Sequence, residues 1–397
     1  MISALAPGQS SITGLSLGED VAATSVIIEQ LGATRHDGDG LVYITGPEDG
    51  LRANVTPLDC GNSGTTMRLM SGVVSGVSGI HLLVGDESLS RRPMDRVAVP
   101  LELMGVRVSG NGDALRPPLR IESASPLRGI TYRVPVVSSQ VKSAILFAGL
   151  SAVDPTAVSE DIRTRTTTED MLREAGVVAV SRDVGRGRQV TLSPGRPRRH
   201  DWHVPGDPSQ AAFFAVLGAI HCDATLEVLN VEGSPERVGY VGVLQRMGGD
   251  VHLIDHGSFH ALHAKSSSLV ATEIHADEIP SVDEVPILTV AACAAAGVSA
   301  FRSMSELRLK ESDRFDASMS LAKELGCRVW AEGDDFFVEG IGSATRFNEF
   351  TMTSSLDHRM VMAAAVAGCA GKGCTIQGAG TVSTSYPHFF RDLTLLQ

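Results

Sequence analysis

The chain has 397 residues, more than one hydrophobic core ordinarily serves, so two domains are the default expectation. Its formal net charge of −12 and its 5% aromatic content exclude a non-specific nucleic-acid binder and a base-stacking platform. With 43% hydrophobic and 20% charged residues the composition is globular throughout, and an acidic chain of this kind can still hold a basic cleft for small anions.

Met1–Pro7 lacks the basic start and apolar core of a signal peptide and reads as a short helix, Ile2–Leu5, running into Pro7-Gly8. From there one pattern recurs: an amphipathic helix ends in an apolar residue plus glycine, then a strand, a polar turn and a second strand follow. Leu31-Gly32 leads to a strand around Val42–Thr45. Met104-Gly105 leads to Val106–Val108 and Leu119–Glu122, and Ala175-Gly176 to Val177–Val180 and Gln189–Leu192. Met247-Gly248 leads to Val251–Ile254 and Phe259–Leu262, and Leu325-Gly326 to Val329–Ala331 and Asp335–Glu339. The glycines stand 73, 71, 72 and 78 residues apart, and each suits a left-handed helix C-terminus. So regular a period implies stacked copies of one α/β unit.

A sixth helix is expected over Pro387–Leu396, with its hairpin falling past the C-terminus. A closed set of six units would have to take those strands from the N-terminus, so the sixth unit is expected to be incomplete and a segment upstream of Met1 to be missing. SPGRPRRHDW at 193–202 reads as a linker, which divides the chain into residues 1–200 and 201–397 with three units each. The uncharged run Val285–Phe301 is too short to span a membrane and reads as a buried helix. Cys60, Cys222, Cys293, Cys327, Cys369 and Cys374 form no CxxC pair and read as buried free thiols of a reducing cytosol, with no metal site.

Six polar clusters stand just before apolar helices: Gly61–Thr66, Ser138–Gln140, Pro205–Ser209, Asp283–Pro286, Lys310–Arg314 and Asp357–Arg359. Helix N-termini carry unpaired N–H groups and partial positive charge, so several aimed at one cleft suit phosphate and carboxylate ligands. Pro205–Ser209, and Asp20 before Val21, read as ordinary caps. Elsewhere cations accompany the clusters. Lys310 and Arg314 are four apart, on one face of a helix start, and Arg359 follows Asp357-His358. Arg92 sits in the loop Arg91-Arg92-Pro93, whereas Arg91 and Arg163 read as solvated. Asp283 and Glu311 are two carboxylates in different surroundings, which can divide acid and base roles. His358 reads equally as a structural or a catalytic histidine.

GNSGTTMR at 61–68, SRRP at 90–93, SSQVKSA at 138–144 and PGDPSQAAFF at 205–214 resemble the 3-phosphoshikimate 1-carboxyvinyltransferase (EPSP synthase) family. So do the Asp283 helix, LRLKESDR at 307–314, LDHRM at 356–360 and TSYP at 384–387, all in the family's order. The resemblance implies two inside-out α/β barrel domains of three repeats each, closing on a cleft, in a monomeric cytoplasmic enzyme with no metal or organic cofactor and no membrane or nucleic-acid partner. It implies transfer of the enolpyruvyl group of phosphoenolpyruvate to the 5-hydroxyl of shikimate 3-phosphate. Ser138, Ser139, Gln140, Asp283 and Lys310 would then hold shikimate 3-phosphate, and Gly64, Arg92, Gln140, Arg314 and Arg359 phosphoenolpyruvate. Asp283 would be the base and Glu311 the acid.

The chain also departs from the family pattern. The family's opening PGxKSxxxR-like stretch would place its arginine about three positions before Met1. The start is therefore expected to be late, or the chain to be a truncated relative that binds weakly, with little or no turnover on its own. Thr164-Arg165-Thr166-Thr167 stands where many members have SRDH, and Thr384 where some carry a lysine. The sister enzyme that acts on UDP-N-acetylglucosamine typically has a cysteine in the loop that is Gly85–Pro93 here, and this loop has none.

Overall fold

The computed structural model describes residues 1–124, 126–257, 259–354 and 356–396. The helices that read as apolar on every side are the ones at the centre. Pro208–Ile220, Val285–Ala294 and His358–Ala370 are buried almost from end to end and pack on one another. A helix with no polar face has no side to give to water, so it must lie inside. Gly64–Ser75 and Ser139–Gly149 are packed together in the same way in the first half of the chain. Gly72 sets their distance, since a Cβ there would stand 2.1 Å from the carbonyl oxygen of Ala144. Two compact units result, Met1–Val204 and Pro205–Gln397.

Among the described residues six sheets surround these helices, three in each unit, and four of them share one strand order in full. Leu58–Asp59 runs parallel to Gly79–Val84, which is antiparallel to Arg116–Ser123, which is antiparallel to Arg107–Asn111. Thr131–Arg133, Thr156–Glu160, Gly187–Leu192 and Ala179–Val184 repeat this order, as do Trp202–His203, Gly8–Thr13, Leu41–Gly46 and Thr34–Gly38. In the second unit Glu273–His275, Ala296–Arg302, Asp335–Ile341 and Arg328–Glu332 repeat it again. Thr225–Val231, His260–Lys265 and Asp250–Asp255 form a three-stranded version, with a single parallel bridge from Gly206 to Val231 in place of the short strand. The sixth sheet has two parallel strands among the described residues, Phe350–Thr353 and Cys374–Gln377. The mixed α/β class and six repeated units are as expected. No sheet closes on itself among the described residues, so each expected barrel is a set of separate sheets around central helices.

The five spaced glycines have φ of +106, +102, +80, +86 and +95° in chain order. In each case the next N–H turns back to the helix: Ala33 to Ile28, Val106 to Leu101, Val177 to Leu172, Gly249 to Leu244 and Cys327 to Ala322, at 2.8–3.1 Å. This six-to-one bond lets one residue stop the helix and start the hairpin.

Three expectations change. The run Val285–Phe301 is not one helix: the helix ends at Ala294 and Ala296–Arg302 is a strand, turned by Gly297 at φ +103°. The basic stretch after Ser193 is tied down rather than loose. Arg196 donates to Leu5 O at 2.8 Å and to the carbonyls of Pro47 and Glu48, and Trp202 Nε1 donates to Ser3 Oγ at 2.9 Å. All six cysteines are free, but Cys222 is exposed. No helix among the described residues is long and apolar enough to cross a membrane.

Gly32→Ala tests the helix-stop device alone, because nothing lies within 4 Å of the added Cβ. Urea denaturation is expected to show a loss of about 1–2 kcal/mol from backbone strain. Gly326→Ala is expected to cost about the same, since its Cβ meets only the terminal amide of the exposed Asn348 side chain, which can turn away. Equal stability to wild type in both would contradict the role.

Candidate functional site

All six polar clusters fall at helix starts. In the second unit Asp207, Asp313 and Asp357 cap their helices, accepting from the N–H of Ser209, Asp316 and Arg359 at 2.9, 3.1 and 3.0 Å. Glu284 occupies the N-cap position of Val285–Ala294. The residues just before Asp283 and Asp357 are held in the left-handed region, Val282 at φ +50° and Leu356 at +64°. Such non-glycine conformations cost about 1–3 kcal/mol each and gather where a surrounding network demands them.

That network centres on Arg314, whose side chain is 1% exposed. Its Nε donates to Asp357 Oδ2 at 2.8 Å, its Nη1 to Asp283 Oδ1 at 2.9 Å, and its Nη2 to Asp357 Oδ1 at 3.3 Å and to Glu311. Burial opposes the charge of Arg314, but Asp357, Glu311 and Asp283 outweigh it and raise the guanidinium above its ordinary range. Burial likewise opposes the charge of the fully buried Asp357, and Arg314 overcomes it, so this carboxyl lies below the usual range. Ser312 Oγ adds a bond to Asp357 Oδ2 at 2.9 Å.

Two further cations meet at Asp283. Lys310 Nζ reaches Asp283 Oδ1 at 3.3 Å and the Ser281 carbonyl at 2.8 Å. Arg359 Nη2 stands 3.6 Å from Asp283 Oδ2, and its Nη1 donates to the Asp283 carbonyl at 3.4 Å. Asp283, Lys310, Glu311, Arg314 and Arg359, chosen from three separate clusters, are thus one group. Lys310 and Arg314 do not share a helix face, however. Lys310 is in extended backbone after the turn Ser305–Leu309, and only Arg314 is helical, so the common carboxylate rather than helical spacing brings them together.

His358 is buried beside this group, and its Nδ1 has no hydrogen-bond partner. Burial first, and Arg359 second, push the imidazole down to about 4. A second buried network adjoins the first: Ser209 Oγ donates to Glu284, Ser281 Oγ to Glu284 Oε2 at 3.0 Å, and Arg237 Nη2 to Ser209 Oγ at 3.3 Å and to Asp207. It binds the starts of two central helices to each other, and sequence reasoning missed Arg237. Thr384 is buried at the end of the turn Ala379–Thr384.

In the first unit three helix starts also converge. Thr66 Oγ1 bonds Thr24 Oγ1 at 2.8 Å and the Asp20 carbonyl at 3.1 Å, joining Gly64–Ser75 to Glu19–Gln30. Asp20 is not the expected cap, because Gly18 holds that position and Asp20 lies in the first turn. Gln140 Nε2 donates to Thr65 Oγ1 at 2.8 Å and Arg68 Nη1 to Gln140 Oε1 at 2.6 Å, joining Ser139–Gly149 to the same place. Ser138 caps that helix, accepting from Val141 N at 3.4 Å, and Ser139 is its first residue. Arg92 is held by Asn62 Oδ1 at 2.8 Å and Ser88 Oγ at 3.3 Å. A Cβ on Gly64 would stand 3.0 Å from Arg92 Nη1 and 3.2 Å from Arg68 Nη1, so two guanidinium groups close on that glycine. Gly64, Arg92 and Gln140 are therefore neighbours, with Arg68 an addition to the expected set. Arg91 and Arg163 are surface residues paired with Glu87 and Asp183. Each unit thus presents helix N-termini surrounded by fixed cations, a setting for phosphate and carboxylate groups.

Comparison with known proteins gives the same direction. Residues 1–393 match the family described as EPSP synthase (3-phosphoshikimate 1-carboxyvinyltransferase). A 3-phosphoshikimate 1-carboxyvinyltransferase of Bacillus cereus (strain B4264) is 39% identical over 405 residues, covering 100% of this chain and 92% of that protein. One of Anaeromyxobacter sp. (strain K) is 41% identical over 401 residues, covering 98% and 89%. A solved EPSP synthase from Acinetobacter baumannii superposes with a TM-score of 0.84 at 36% identity, covering 100% of this chain and 92% of that one. The enolpyruvyl transferase NikO from Streptomyces tendae, with a TM-score of 0.77 at 18% identity and coverage of 100% and 90%, shares the fold.

The buried imidazole makes stability depend on pH. Unfolded, His358 takes up a proton near 6.5; folded, it refuses one until about 4. The unfolded state therefore binds more protons in that window, and stability falls as pH drops through it, by on the order of 3 kcal/mol in all. Burial lowers His81 as well, with the same sign. His358→Asn is expected to flatten, without abolishing, the fall in urea midpoint between pH 6.5 and 4. An unchanged slope would contradict the assignment.

Proposed function

The chain belongs to the EPSP synthase family, and from that premise we propose that it is a 3-phosphoshikimate 1-carboxyvinyltransferase of the shikimate pathway. It moves the enolpyruvyl group of phosphoenolpyruvate to the 5-hydroxyl of shikimate 3-phosphate and releases phosphate. The observation that carries this is the meeting of Lys310, Arg314 and Arg359 on Asp283, with Glu311 on the same guanidinium. Cations already held by carboxylates keep their positions when polyanions arrive, so little reorganisation is needed at the moment of reaction.

In the first unit Ser138, Ser139 and Gln140 are assigned to shikimate 3-phosphate, and Gly64, Arg92 and Gln140 to phosphoenolpyruvate. In the second, Asp283 and Lys310 are assigned to the former and Arg314 and Arg359 to the latter. Four of the five N–H groups of Arg314 are already engaged, which leaves one on Nη1 for a ligand. Arg359 is the more available of the two arginines, since the hydrogen bond it donates, 3.4 Å to the Asp283 carbonyl, is long.

Glu311 serves as the acid and Asp283 as the base. Glu311 is 21% exposed and Asp357 fully buried, so of these two carboxylates on Arg314 only Glu311 can meet a ligand. Protonation of the methylene carbon makes the adjacent carbon cationic. The 5-hydroxyl oxygen adds there as its proton passes to Asp283. The tetrahedral intermediate then loses phosphate, and its new methyl group returns a proton, restoring the double bond.

Phosphate release from phosphoenolpyruvate is expected only when shikimate 3-phosphate is present. Glu311→Gln should slow it by roughly 10²–10⁴-fold with binding little changed. Arg359→Ala should weaken phosphoenolpyruvate binding by about 1.5–3 kcal/mol. Binding of both ligands without phosphate release would make the chain a ligand-binding relative instead. Full activity of Glu311→Gln would remove it as the acid.

A further inference from the structure

Lys142 lies in the first turns of the Ser139–Gly149 helix, directly after the polar residues assigned to the sugar phosphate and within an otherwise apolar stretch. Its side chain is 1% exposed. A buried ammonium persists only where its charge and its three N–H groups are answered. Nζ donates to Glu160 Oε1 at 3.2 Å, to Glu169 Oε1 at 2.9 Å and to the backbone carbonyl of Arg165 at 3.0 Å. Glu160 ends the strand Thr156–Glu160 and accepts from N and Oγ1 of Thr164 at 3.0 and 2.6 Å. Glu169 belongs to the helix Thr167–Glu174. One ammonium therefore ties the helix that begins at Ser138 to a strand, to the segment between that strand and the next helix, and to that helix.

As a source of stability the cluster is poor. Two carboxylates share one cation, and Glu169 Oε2 has no hydrogen-bond partner. Burial raises the Glu169 carboxyl in spite of Lys142. Apolar side chains of similar volume would stabilise such a site at least as well. What apolar side chains cannot provide is a directed bond to the Arg165 carbonyl.

We propose that Lys142 is a positioning residue for shikimate 3-phosphate: with Glu160, Glu169 and the Arg165 carbonyl it fixes the helix start carrying Ser138, Ser139 and Gln140 against the neighbouring strand and helix, so that these three polar residues meet the ligand together. The inference rests on the proposed function of the site. Lys142 itself touches no substrate.

Because Lys142→Met leaves two buried carboxylates unpaired and is at risk of unfolding, it is made together with Glu169→Gln, which removes one charge. Hydrogen–deuterium exchange over residues 161–166 and titration with shikimate 3-phosphate are measured on the whole chain, wild type and double variant. Exchange in that segment is expected to rise about tenfold or more while the central helices keep their protection. The Kd for shikimate 3-phosphate is expected to rise by about tenfold. Faster exchange with an unchanged Kd would reduce Lys142 to a structural part and overturn the proposal, as would unchanged exchange. If wild type itself fails to bind shikimate 3-phosphate, the proposed function falls and this inference with it; binding by wild type with an unaffected variant overturns this inference alone.

Discussion

Arg314 and Asp357 are both buried, and neither is stable there without the other. An isolated ion pays heavily for leaving water, and only good geometry with saturated hydrogen bonds offsets that cost. Here Asp357 takes two bonds from Arg314, one from Ser312 and one from the N–H of Arg359 at its own helix start. Meeting those demands fixes the direction in which the His358–Ala370 and Arg314–Glu324 helices begin. Through the remaining N–H groups of Arg314 it also fixes Asp283 and Glu311. The left-handed backbone at Val282 and Leu356 is the local strain that this over-determined arrangement sustains. Asp283 and Glu311 are therefore placed by a charge that is itself almost wholly buried.

The repeated unit explains why so many polar groups arrive at the same place. Each central helix is apolar along its length and must be buried, so its partners can only be other such helices and the inner faces of the sheets. Its first turn is the one part that retains unpaired N–H groups, and it therefore collects Ser, Thr, Asp and cations. Packing three such helices with their starts together concentrates N–H groups, hydroxyls and guanidinium groups without any one of them being remarkable in sequence. Bonds between starts hold the register: Thr24 to Thr66 and Gln140 to Thr65 in the first unit, Ser209 to Glu284 and Arg359 to Asp283 in the second.

Much of this was legible in the amino-acid order because the relevant interactions are local. A glycine after an apolar helix end needs only its own five preceding residues to form the turn, so its spacing revealed the six units. The helix starts behind Ser63, Ser138, Asp207, Asp313 and Asp357 were visible for the same reason, since each of these residues bonds within three positions, though only the Asp207 cluster was read as a cap. What escaped was tertiary. Lys310 looked like part of a helix by spacing, but the helix begins only at Arg314, capped by Asp313, and Lys310 reaches Asp283 and the Ser281 carbonyl from the extended backbone before it. The carboxylate partners of Lys142 lie 18 and 27 residues away, beyond the reach of any local pattern. Arg68 stood inside a quoted motif, yet its contact with Gln140 spans 72 residues.

The dependence of the site on one buried pair is tested most directly by a double-mutant cycle between Arg314 and Asp357, read by urea denaturation. Arg314→Met and Asp357→Asn are each expected to cost about 3–5 kcal/mol, because each strands a buried partner. Together they are expected to cost little more than either alone. Additive losses would mean that the two residues act separately and that the buried pair does not organise the helix starts.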